Sequence, residues 1–125
     1  MADLIPEDLR DFVLRHIDSI AQLEALLLLR RNPTEAWTAD VAAKRLYTTE
    51  AEATNVLDQL CADGLLICTD GSYRFDPQSD EQRQMIDLLA ESYRRHLIPV
   101  TNLIHGKPRR LREFSDAFKI RKERP

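Results

Sequence analysis

Apolar residues recur along this chain at two spacings, and the change from one to the other organises it. Leu9, Phe12, Val13, His16 and Ile17 share one face at 3-4-7-8 spacing and predict a helix over 6–18, with Pro6 in the first turn, where its missing N–H costs nothing. Leu23, Leu26, Leu27 and Arg30 alternate toward and away from the core on a second helix, 19–31. It stops at Asn32-Pro33, because a residue before proline avoids the α region. A shorter helix, 39–46, follows Thr38 and is predicted to bury Val41, Ala42 and Leu46. Another, 50–62, buries Ala53, Val56, Leu57 and Leu60 and ends at Asp63-Gly64, where glycine accepts the left-handed cap conformation.

From Leu65 the period falls from 3.6 to 2. Residues 65–69 and 72–75 read as a hairpin around Asp70-Gly71, the preferred pair for a type I′ turn. That turn sets Cys68 opposite Tyr73 and Leu66 opposite Phe75, with all four facing inward. After Ser79 the helical period returns through Met85, Ile86, Leu89, Tyr93, Leu97, Val100, Leu103 and Ile104, predicting one long helix kinked at Pro99. Leu111, Phe114, Ala117 and Phe118 mark a short amphipathic helix near the end. Three helix starts share one signal: Ser19, Thr49 and Ser79 each precede Gln22, Glu52 or Gln82 by three residues, the spacing of a capping box.

The order is helix, short helix, three-residue turn, helix, Gly-Leu, tight hairpin. With the residues Trp37-Thr38-Ala39-Asp40-Val41-Ala42-Ala43-Lys44-Arg45-Leu46, Thr48-Thr49-Glu50-Ala51-Glu52-Ala53 and Leu57 to Leu66, it resembles the winged helix-turn-helix family. Val41 stands where family members usually carry Leu, and the likeness covers about half the chain. The resemblance implies a mainly α fold with a small β-hairpin wing and four parts. These are an N-terminal helix at 1–18, the winged unit at 19–77, a Pro-kinked dimerising helix at 78–106 and a basic amphipathic helix and tail at 107–125. The added helix is similar to those of bacterial winged-helix repressors, including the multiple-antibiotic-resistance type.

In that family the second helix of the motif enters the DNA major groove. The resemblance therefore implies a cytoplasmic, homodimeric DNA-binding transcriptional regulator. Its candidate DNA contacts are Thr49, Thr54, Asn55 and Gln59 on that helix, Lys44 and Arg45 before it, Arg74 on the wing and Arg109, Arg110 and Arg112 in the tail. The expected dimer seam is Ile86, Leu89, Tyr93, Leu97, Val100, Leu103 and Ile104. The 25 residues after Ser79 would extend about 38 Å as one helix, further than a compact domain of this size needs. A partner subunit, or the Phe114/Phe118 helix folding back, would then cover the far end of the stripe.

Charge changes this picture. The net −3 divides into −8 over residues 1–80 and +5 over 81–125. The helix expected to read bases exposes Glu50, Glu52 and Asp58 and no Lys or Arg, although phosphate neutralisation supplies most non-specific DNA affinity. Asn55 and Gln59 suit adenine edges; the same face suits a solvated exterior or a protein contact. The alternative function is thus a winged-helix adaptor that binds protein and does not read DNA through this helix. The basic tail is equally open between phosphates, an acidic protein face and solvent.

Composition excludes other classes. With 43% apolar and 31% charged residues, 125 residues make one ordinary globular domain. The apolar run 25–29 is far short of the roughly 20 residues a membrane span needs, and the acidic start is unlike a signal peptide. Cys61 and Cys68 lack a zinc or redox-motif spacing; they are expected as reduced thiols of a cytoplasmic protein, with Cys68 a small buried hydrophobe. His16 reads as a hydrogen-bonded packing residue. No nucleophile–base arrangement, phosphate loop or metal motif is present, so neither enzyme chemistry nor a cofactor is expected.

Overall fold

The computed structural model describes residues 5–106. Among them it holds α1 (Glu7–His16), α2 (Ile20–Arg31), β1 (Trp37–Thr38), α3 (Ala39–Leu46), α4 (Glu50–Ala62), β2 (Leu66–Thr69), β3 (Ser72–Phe75), α5 (Asp80–Arg95) and α6 (Leu97–His105). The fold is mainly α with a small antiparallel sheet of order β1-β3-β2.

The hydroxyl caps form as the spacing predicts: Ser19, Thr49 and Ser79 accept from the backbone N–H of Gln22, Glu52 and Gln82 at 3.1 Å each. The return arm differs from a capping box. Gln22 Oε1 accepts from Asp18 N (2.7 Å) and Gln82 Oε1 from Gln78 N (3.0 Å), one residue before the cap in each case. Each glutamine thereby ties down the incoming chain. Gln22 also donates through Nε2 to the carbonyl of His16 (3.2 Å), joining the end of α1 to the start of α2.

The second helix is not half-exposed as its pattern suggests. Leu23 and all of Ala25, Leu26, Leu27, Leu28 and Leu29 are buried. α3, α4, β3 and α6 all pack against it, so the helix is apolar around most of its circumference. α3 turns differently from the expectation. Ala42 and Ala43 face the core, whereas Val41 is 44% exposed. Two alanines at the contact let α3 lie close against α4.

The hairpin register is the predicted one, Cys68↔Tyr73 and Leu66↔Phe75, and Asp70 and Gly71 both have positive φ, as a type I′ turn requires. Leu66, Tyr73 and Phe75 are buried, but Cys68 is exposed and disulfide-bonded to Cys61. This overturns the expectation of two reduced thiols with Cys68 in the core. The turn brings the two Cα atoms to 6.2 Å, within disulfide reach. β1 pairs Trp37 with Tyr73 and Thr38 with Ser72; a two-residue strand is too short for a period of 2 to reveal.

The long kinked helix is instead two helices broken at His96 (φ −129°, ψ 59°). Pro99 is the cause, acting three residues upstream of itself. It has no N–H to offer the carbonyl of Arg95, and its ring crowds that carbonyl. Placed in the first turn of α6, it forfeits no helical bond. The break lets α6 fold back onto α1 and α2. Ile86, Leu89, Val100 and Ile104 are then at most 2% exposed within the chain's own core, and Leu103 packs against it. Four residues of the expected dimer seam are therefore buried within the chain, and Leu103 is half-buried. Leu97, 50% exposed beside Ile98 at 64%, remains outside.

Candidate recognition surface

α3, the turn at 47–49 and α4 form the most closely packed helix pair of the fold, with the β2–β3 hairpin against the other end of α4. Ala53, Val56, Leu57 and Leu60 fix the rotation of α4 by burying one face. Its outer face presents Glu50, Ala51, Glu52, Asn55, Asp58 and Gln59. Thr54 is half-buried at the edge, and the Thr49 hydroxyl is already engaged as the helix cap. Glu50 and Glu52 sit in the first turn, where they suit the positive end of the helix and oppose an incoming phosphate.

The candidate cations flank this face without lying on it. Lys44 and Arg45 occupy the last turn of α3, and the Arg45 guanidinium stands 5.4 Å from the centre of the Trp37 ring. Arg74 is exposed on β3, paired with Ile67 on the outer side of the sheet. Arg109, Arg110 and Arg112 lie outside the described residues, as does the expected Phe114/Phe118 helix. Tyr47 was not among the expected contacts, yet its side chain is 96% exposed and its backbone is left-handed (φ 58°), a position that favours glycine. The signal available was its place in the turn between two helices.

The hairpin is held to α4 twice. Tyr73 donates its hydroxyl to Asp58 Oδ1 at 2.7 Å, and Cys68 is bonded to Cys61. Asp58 and Cys61 lie one turn apart on the helix, and Tyr73 and Cys68 are cross-strand partners. Behind α4, His16 Nδ1 lies 3.2 Å from Asp63 Oδ2, which meets the expectation of a hydrogen-bonded histidine.

A groove of about 700 Å³ runs between α2 and α5 over Leu27, Ala90 and Leu97. Its rim carries paired charge: Arg30 Nε meets Asp87 at 3.0 Å, and Arg94 reaches Glu91 at 2.8 Å. Tyr93, the remaining expected seam residue, is half-buried there and donates to Glu24 Oε2 at 2.7 Å.

Both bonded tyrosines resist ionisation. The hydrogen bond to Asp58 and then burial push Tyr73 up to about 12; burial and then the bond to Glu24 do the same for Tyr93. A phenol whose pKa is higher folded than unfolded contributes stability that is complete below pH 10 and lost as pH rises toward 12. Alkaline titration followed at the phenolate absorbance is expected to show two late-ionising tyrosines, assigned by Tyr73→Phe and Tyr93→Phe. Stability should fall by on the order of 2 kcal/mol per tyrosine across that window. Ionisation of both near pH 10 in the folded chain would refute this.

Among the described residues no group of His, Cys, Asp or Glu is arranged to hold a metal ion, and no helix is long and apolar enough to cross a membrane. No family model matches the chain, and no curated protein or solved structure is significantly similar to it.

Proposed function

We propose that this chain is a winged helix-turn-helix module whose α4 and hairpin surface binds a protein partner carrying basic groups, as a regulatory adaptor. The order of α3, turn, α4 and paired hairpin supports the winged-helix part of this reading. The partner rests on one observation: the exposed face of α4 carries Glu50, Glu52 and Asp58 and no cation. DNA presents one negative charge per roughly 1.7 Å of its axis, so this helix would enter the groove against repulsion.

DNA binding is the second reading. It is favoured by the exposed amides of Asn55 and Gln59 and by Lys44, Arg45 and Arg74 at the margins.

Fluorescence anisotropy separates the two, with a random-sequence duplex and an arginine-rich peptide as probes at low and moderate salt. The adaptor reading expects no saturable duplex binding at low salt, and peptide binding weakened about threefold or more by Glu50→Gln/Glu52→Gln. Salt-dependent duplex binding that Asn55→Ala weakens would overturn it in favour of DNA.

A further inference from the structure

We propose that Cys61 and Cys68 form a reversible dithiol–disulfide site that sets how firmly the hairpin is held to α4. The inference stands whichever partner the surface takes, because it concerns the hairpin and not its ligand.

The bond is accessible. Cys68 is exposed and Cys61 half-buried, so a small thiol can reach the Cys68 sulfur without unfolding the core. The outer end of β2 that it restrains is otherwise held through its ladder to β3, which pairs in turn with β1. On β2 the last buried side chain is Leu66, and from Ile67 through Gly71 every residue is exposed. Beyond the β2–β3 ladder, the two ties from this hairpin to α4 are Cys68–Cys61 and the Tyr73–Asp58 hydrogen bond.

The fold around the site does not depend on the bond. The α4–β2 turn is closed by Gly64 N to Cys61 O (2.9 Å) and Leu65 N to Leu60 O (3.0 Å), and Leu65 is fully buried. Gly64 provides the φ of +80° that the turn requires. Opening the bond therefore loosens the hairpin tip and leaves the helices in place.

The chemistry is thiol–disulfide exchange with a small dithiol. Its thiolate attacks Cys68 Sγ, the Sγ–Sγ bond breaks, and the Cys61 sulfur leaves as a thiolate that takes a proton from water. The second thiol of the reductant, as its thiolate, then displaces Cys68, whose sulfur is protonated in turn. The protein gains two electrons and two protons; the dithiol loses the same and closes its own disulfide. A small disulfide such as oxidised glutathione runs the sequence in reverse.

The test uses the full chain with dithiothreitol and oxidised glutathione as probes, read by iodoacetamide labelling with intact mass and by amide hydrogen exchange. Before reduction no iodoacetamide adduct is expected, and after reduction two. Amides of 67–73 should then exchange roughly tenfold faster or more while those of α2 keep their protection, and oxidised glutathione should restore the slow state. Cys68→Ser, a change at an exposed position, should exchange like the reduced chain with or without dithiothreitol. Two results would overturn the proposal: a chain labelled at both cysteines that oxidised glutathione cannot close, or exchange at 67–73 unchanged by reduction.

Discussion

Replacing Trp37 by alanine is expected to lower folding stability by about 3–5 kcal/mol, the range for deleting a large buried aromatic. Trp37 is 2% exposed and is the only tryptophan of the chain. It carries β1, pairs across to Tyr73 on the central strand and lies under the Arg45 guanidinium. Its removal opens a cavity where the sheet meets the helices, a site that cannot collapse without moving β3. Trp37→Phe separates size from polarity. Among the described residues the buried indole N–H has no hydrogen-bond partner, which costs stability, so phenylalanine relieves one penalty while incurring a smaller cavity. The expected loss is about 1–2 kcal/mol. Urea unfolding followed by far-ultraviolet dichroism measures both variants. An alanine cost under about 1 kcal/mol would mean that β1 does not anchor the sheet.

Much of the fold was legible because several local signals agree. Hydroxyl caps, the Asn32-Pro33 stop, the Gly64 turn and Asp70-Gly71 each act over a few residues, and periodicity then fixes the buried faces of α1 and α4. What failed was set by distant packing. Helix α2 is enclosed because α6 comes back to it; the apolar run 25–29 is compatible with burial on every face but does not say which element covers it. Periodicity alone places the stripe from Ile86 to Ile104 on one kinked helix that reaches past the domain. Pro99 marks a break and not a kink, and the break returns Ile86, Leu89, Val100 and Ile104 to the core. The disulfide escaped because seven residues of separation say nothing until the turn and hairpin are built.

The candidate surface shows the same division. That α4 is exposed and acidic follows from periodicity and composition alone. That Asp58 and Cys61 grip the hairpin, and that Tyr47 stands free in the turn, depends on the pairing of β2 with β3 and on one left-handed residue.

Replacing Gln22 by leucine is expected to cost about 2–4 kcal/mol, although the new residue is similar in volume and more apolar. Gln22 is 1% exposed, and its amide joins Asp18 N to His16 O across the chain between α1 and α2. Leucine keeps the volume and removes both partners, so the loss reports the polar bridge and not a cavity. The effect should extend beyond the junction, because the same histidine meets Asp63 at the end of α4. Faster amide exchange is therefore expected at Asp18 and at the α4–β2 turn. Gln82 supplies the control. It makes the same return bond to the residue before its cap but is only half-buried, and Gln82→Leu should cost less than about 1 kcal/mol. Equal costs at the two sites would refute this account, since the two glutamines share a motif and differ in burial. A Gln22→Leu chain as stable as the parent would do so as well. It would show that the α1–α2 junction is held by apolar packing alone.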